Sequence, residues 1–329
     1  MQTAPPYPLP QSLSAWARQR RATRQRLRTL LGRLPPRPRP ATVTLTRRRV
    51  ERHYVREDLL IDNAAGATIP AVLLLPHDAR PPHRAILHHH SHWSDYAVGL
   101  QEVFQPWPVG ETPAVAFTRR QYAVLSIDAY AFGARQGRGP GGPRETGAAE
   151  ELSLGKLFLW QGTSLWAMML RDDLIALDYL ASRPEIDPRR IGATGMSMGS
   201  TRTWWLAALD ERVAAAVCVA CLTRYQSLIR HRELRRHGIY YFVPGMLRYF
   251  DTEAVVSLIA PRPLLTLTGG RDAGSPRDGV DYINRFCRGI YRLHRRPRCF
   301  AAEVYPRLSH AYTRRMWQRM LGWFDAHLR

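Results

Sequence analysis

The chain reads as an α/β protein, a doubly wound and mostly parallel sheet entered through an N-terminal antiparallel hairpin. Three observations predict it. Short continuous apolar runs at 84–88, 122–128, 213–220 and 263–268 have the length, and the lack of alternation, of strands buried on both faces. Longer stretches with apolar residues at helical spacing, chiefly 163–182 and 311–328, separate or follow them. Finally, 329 residues with 45% hydrophobic content suffice to bury a large core. Strands alternating with helices through right-handed crossovers give this architecture, and its sites lie at the carboxyl ends of the strands.

In chain order, residues 1–11 are Pro-rich and expected to be loosely held. From Ser14 to Leu31, Trp16, Leu27, Leu30 and Leu31 mark one helical face and arginines the other, until Gly32 and Pro35-Pro36 end the helix. Residues 1–49 are therefore read as a basic Pro/Arg-rich arm with one amphipathic helix, and 50–329 as the main domain. Residues 50–61 and 69–75 around Asp62–Ala67 form the hairpin. Next come the strands 84–88 and 122–128, a Gly/Arg-rich loop over 132–147, and a helix over 163–182 with Leu165, Trp166, Met169, Leu174, Leu177 and Leu180 turned inward. After the strands 213–220 and 263–268, residues 299–305 supply the last strand and 311–328 the closing helix. The stretch 222–258 is too long for a simple connection and is read as a cap over the site, with Tyr225, Tyr240 and Tyr241, together with Trp93 upstream, as candidate pocket residues.

A formal charge of +21 invites a nucleic-acid reading, but all 48 basic residues except Lys156 are arginine and they spread over the whole chain, alongside 25 Pro. A phosphate-binding face would be a local concentration, so a nucleic-acid partner is not expected. Four cysteines are too few for a disulfide framework at this length, and Cys218 and Cys221, three apart on a strand end, face opposite sides. No apolar run approaches a membrane span. Arg20-Arg21 is followed by more arginine where a twin-arginine signal would be apolar, so a cytoplasmic location without membrane attachment is expected.

The chemistry centres on Gly195-Met196-Ser197-Met198-Gly199, between a short apolar strand and the helix-like 201–208. A strand reversing sharply into a helix leaves no room for side chains two residues either side of the exposed serine, which is the mechanical reason for Gly-x-Ser-x-Gly. A serine hydroxyl needs a base to take its proton, and the base needs a third group to fix its tautomer. Asp272 follows a buried strand in the loop 268–276, with Asp278 in reserve, and His310 lies between the last strand and the last helix. The cluster His88-His89-His90-Ser91-His92 tempts a metal reading, but adjacent residues at a strand end point in alternate directions, and a catalytic metal is not expected there.

The elbow, the preceding Asp173–Gly192 stretch, and Ala260-Pro-Arg-Pro-Leu-Leu with Arg271-Asp272 together resemble the α/β-hydrolase superfamily, and within it the dienelactone-hydrolase-like and acetyl-xylan-esterase-like branch, over roughly residues 50–329. The resemblance implies the α/β-hydrolase fold and hydrolysis of a small-molecule ester through an acyl-enzyme, without metal or organic cofactor, with Ser197 as nucleophile, Asp272 as acid and His310 as base. It implies an oxyanion hole from the Met198 N–H and, at the exit of the strand ending near residue 88, the N–H of His90. The chain departs from the pattern where His-Gly is usual, having His88-His89, and after the elbow, where Ser200 replaces a glycine. Two other readings stand beside this one: a serine peptidase of the prolyl-oligopeptidase kind, and a non-catalytic basic binding protein on a hydrolase scaffold. Oligomeric state is not legible.

Overall fold

The structure is a computed structural model and describes residues 4–77, 79–92, 95–107 and 110–329. In chain order its elements are α1 (Leu13–Leu30), β1 (Val43–Val50), β2 (Val55–Asp62), β3 (Thr68–Leu75), β4 (His83–His89), α2 (Pro113–Thr118), β5 (Tyr122–Ile127), α3 (Gly147–Trp160), α4 (Leu165–Ser182), β6 (Ile186–Met196), α5 (Met198–Leu209), β7 (Val213–Val219), α6 (Tyr225–Arg230), α7 (Thr252–Ser257), β8 (Leu264–Gly269), α8 (Arg277–Leu293), β9 (Phe300–Tyr305) and α9 (Arg314–His327). The strands form one sheet in the order β1-β2-β3-β5-β4-β6-β7-β8-β9. From β5 to β9 they run parallel, while β1, β2 and β3 pair antiparallel to each other and β3 antiparallel to β5.

Alternating residues of the central strands feed two cores. Ala85, Leu87, Ala123 and Leu125 pack with α1, α4, α5, α7 and α8 on one face. Ile86 and Val124 pack with Phe117 of α2 and Met316, Trp317 and Phe324 of α9 on the other. A strand buried on both faces has no polar side to show, which is why these runs read as continuously apolar.

Three expectations are corrected. β1 begins within the expected arm and extends the hairpin to a three-stranded meander; as the exposed edge, with Arg47, Arg48 and Arg49 in it, it offers no apolar pattern to read. Residues 4–11 are not loose: Ala4 and Tyr7 are buried, and Tyr7 and Thr23 hydroxyls lie 2.7 Å apart in a hydrogen bond. The arm is stitched to α4, where the buried Arg171 donates to the carbonyls of Pro35 (2.8 Å) and Pro36 (2.7 Å), and to the residues just before that helix, where the Thr163 hydroxyl donates to the carbonyl of Leu31 (2.7 Å). Lastly, α3 stands where loop and connection were expected, and α7, within 222–258, belongs to the core, with Ala254, Val255 and Val256 fully buried.

Among the described residues no helix is long and apolar enough to cross a membrane.

Candidate active site

Ser197 occupies the single residue between β6 and α5, at φ 57° and ψ −119°. A non-glycine residue at positive φ is strained, and it is held here because its neighbours leave no alternative. A Cβ on Gly195 would lie 2.3 Å from His89 O, and one on Gly199 only 2.1 Å from the same oxygen. The exit of β4 is thus pressed onto the turn, and only glycine fits on either side. Ser200, where a further glycine was expected, is fully buried and donates its hydroxyl to Ala220 O at 2.6 Å, tying α5 to the exit of β7.

The other two candidates meet. His310 Nδ1 donates to Asp272 Oδ2 at 2.8 Å, and Asp272 Oδ1 accepts the Gly274 N–H at 2.9 Å. Asp272 is buried and sits just beyond β8; His310 lies four residues before α9, which begins later than the sequence pattern suggests. With Nδ1 carrying its proton toward the carboxylate, Nε2 is left as an acceptor. Ser197, Asp272 and His310 line one cavity of about 660 Å³. Within it the Ser197 hydroxyl has Cys221 Sγ as its hydrogen-bond partner at 3.8 Å, and no hydrogen bond joins it to His310 among the described residues.

At the head of α5 the Met198 N–H, in the first helical turn, lacks an intrahelical acceptor. The buried His90 ring is engaged away from the cavity: Nε2 accepts the Ala129 N–H at 3.0 Å and Nδ1 donates to Ser91 O at 2.9 Å. The Ser91 N–H is taken by Glu102 Oε2 at 2.9 Å and is not available to a ligand. The histidine cluster does not converge. His89 Nδ1 pairs with the Thr203 hydroxyl at 2.9 Å beneath the elbow, and burial drives the basicity of His88, His89 and His90 well down, His88 to about 3.

Residues 235–238 and 240 supply the rest of the wall, and of the three expected tyrosines Tyr240 alone is among the described lining residues. Tyr240 lines the cavity with His92, whose ring stacks on it at 5.1 Å and whose Nε2 donates to the buried Glu151 of α3 at 3.0 Å. Tyr241 is fully buried behind the wall, its ring stacked on His237 at 4.1 Å, and Tyr225 lines a different cavity of about 560 Å³ beside Pro5 and Phe242. Neither lines the cavity that holds Ser197, since a Tyr/His-rich composition carries no information about which way each ring turns. Trp93 lies outside the described residues.

Sequence reasoning missed Cys221, Arg235, Arg236 and Gly238 as lining residues. Strand alternation does separate Cys218 from Cys221, but the chain reverses after β7 with Ala220 at φ 59° and Cys221 at φ 47°, and this swings Cys221 into the cavity. Burial pushes its thiol up to about 12, so it stays protonated and is no thiolate nucleophile.

The Abhydrolase family profile matches residues 7–325. The Bacillus subtilis (strain 168) protein named "Putative hydrolase YtaP" is 37% identical over 270 residues, 82% of this chain and 86% of that protein. Among solved structures, a glucuronoyl esterase from Solibacter usitatus superposes with TM-score 0.68 at 16% identity, covering 98% of both chains. Acetyl xylan esterase 1 from Thermoanaerobacterium sp. JW/SL YS485 superposes at 0.58 and 16% identity, covering 98% of this chain and 95% of that one. At such identities these two establish the α/β-hydrolase fold.

Proposed function

The chain belongs to the Abhydrolase family, and from that premise we propose that it is a serine hydrolase cleaving carboxylic esters through an acyl-enzyme. The observation that carries the proposal is the 2.8 Å contact from His310 Nδ1 to the buried Asp272, in the same cavity as a serine held at positive φ. In this reading the Ser197 hydroxyl turns from Cys221 toward His310 when substrate enters, a shortening common in catalytic contacts that are long in the free enzyme. Its oxygen attacks the ester carbonyl carbon while His310 Nε2 takes its proton, and Asp272 stabilises the imidazolium. The negative oxygen of the tetrahedral intermediate is received by the N–H groups of Met198 and His90; one such donor is typically worth about 3 kcal/mol. Collapse expels the alcohol, which takes the proton from His310. Water, deprotonated by the same imidazole, then releases the acid.

Free thiols at Cys218, Cys221, Cys287 and Cys299 suit a reducing compartment, and a cytoplasmic location is part of the proposal. A fluorophosphonate probe is expected to label Ser197, and 4-nitrophenyl acetate to show a burst of nitrophenol. Ser197→Ala is expected to lose both, with kcat/KM down about 10⁴-fold or more. Undiminished turnover by that variant would refute the proposal. Faster turnover of the matching anilide than of the ester would favour the peptidase reading.

A further inference from the structure

The roof of the cavity carries more positive charge than its own carboxylates answer. Asp272 is the one carboxylate among the described lining residues, and it is already held by His310 and by the Gly274 N–H. Arg236 is matched by Glu233, which accepts from its Nε at 2.7 Å. Arg235, the adjacent lining residue, is exposed and makes no ion pair among the described residues. In this arginine-rich chain many guanidiniums near a cleft or seam are paired, as Arg224 is with Glu253 and Arg135 with Asp172.

The turn that carries Arg235 is pinned on both sides. His237 Nε2 donates to Gly274 O at 2.9 Å, two residues from Asp272, and its ring stacks on Tyr241. Gly238 packs so closely on Glu151 that a Cβ would lie 2.4 Å from Oε1, and the Arg236 N–H closes the turn onto Glu233 O at 3.0 Å. Although a long arginine side chain is mobile, its point of attachment is fixed relative to the acid loop, so less order is lost when it closes on a ligand.

Resting on the ester-hydrolase reading of this same cavity, we propose that the substrate carries a free carboxylate remote from the scissile ester, and that Arg235 binds it. A guanidinium presents a planar fork that matches a carboxylate, and at the mouth of a cleft its field also raises the local concentration of an anion.

The test uses two matched pairs of esters, each rate divided by the hydroxide-catalysed rate of that ester. One pair places the charge on the acyl side, mono-4-nitrophenyl glutarate against 4-nitrophenyl valerate; the other places it on the leaving group, 3-acetoxybenzoate against 3-tolyl acetate. In one pair the anionic member is expected to have kcat/KM about tenfold higher at low salt, as one close charge pair at the surface allows, and the advantage is expected to shrink toward unity near about 1 M NaCl. Arg235→Gln is expected to lower that anionic-to-neutral ratio about tenfold. Arg298→Gln, which removes an exposed arginine from the turn before β9, at the far end of the parallel strands, is expected to leave the ratio unchanged. Turnover of the neutral esters with no preference in either pair, or a preference untouched by Arg235→Gln, overturns this inference alone. Absence of all ester turnover overturns the hydrolase reading and this inference with it.

Discussion

At the floor of the cavity a Cβ on Gly199 would meet backbone, 2.1 Å from His89 O and 2.9 Å from His90 O, while at the roof a Cβ on Gly238 would meet the end of a side chain, Glu151 Oε1 at 2.4 Å. The two numbers are alike and their consequences are not. The Glu151 carboxylate can move only at the expense of its hydrogen bonds from His92 and Tyr96, both 3.0 Å, whereas the His89 carbonyl is main chain of β4, paired to β5 on one side and β6 on the other. The floor is therefore crowded by main chain of the sheet, and the roof by side chains on short turns outside it.

Gly199→Ala attacks the floor where it cannot yield. We expect kcat/KM to fall at least about a hundredfold, the usual cost of displacing a catalytic group by about 1 Å, with a stability loss of about 3 kcal/mol from overpacking. Ester kinetics and urea unfolding measure both. Near-native values would mean that the elbow relaxes as easily as the roof.

A buried carboxylate outside the cavity lining makes the stability of the fold depend on pH. Asp128, just after β5, is fully enclosed between Gly99 and Gly133 and accepts the N–H groups of Leu100 (2.6 Å) and Ala134 (2.9 Å). Burial outweighs these bonds and pushes its carboxyl up to about 6 from 3.8. The folded state consequently holds a proton that the unfolded chain has already released between about pH 4 and pH 6. Its contribution is complete below the unfolded value and is lost as pH rises through the folded one, a decline of about 3 kcal/mol for a shift of about two units. Urea unfolding at intervals from pH 4 to 7 should show that decline in the native chain and a flatter profile in Asp128→Asn. Parallel profiles would remove the assignment, whatever the variant's absolute stability.

Gly238→Ala is the smallest effect expected. The backbone there, at φ −70°, admits alanine, but the buried Glu151 must loosen its bonds from His92 and Tyr96 to make room, so activity should stay within about tenfold and the stability loss within about 2 kcal/mol. A loss as large as that of Gly199→Ala would show that the roof is as fixed as the floor.

The elbow and the two loops bearing Asp272 and His310 were legible because Gly-x-Ser-x-Gly, Asp and His stand at strand exits, and a buried parallel strand announces its own exit by the end of an apolar run. β1 was not, since an edge strand that buries little has no apolar periodicity to read. α3 was hidden in the same way: Leu152, Leu159 and Trp160 are exposed while Glu150 and Glu151 are buried, the reverse of an ordinary amphipathic stripe. The cap tyrosines show a third limit. Tyr240 faces the cavity and Tyr241, its neighbour, does not.

The sequence by itself determined the order of the buried central strands and of the helices over 163–182 and 311–328, the serine between two glycines, and the succession Ser197, Asp272, His310 along the chain, because each is written in local spacing or in residue type. The tertiary structure alone decided which carbonyl crowds those glycines, that Cys221 stands beside the serine, and that Arg235 is left unmatched while Arg236 is answered. These depend on contacts between segments far apart in the chain, and on single rotations after a strand end, which no local pattern of residues encodes.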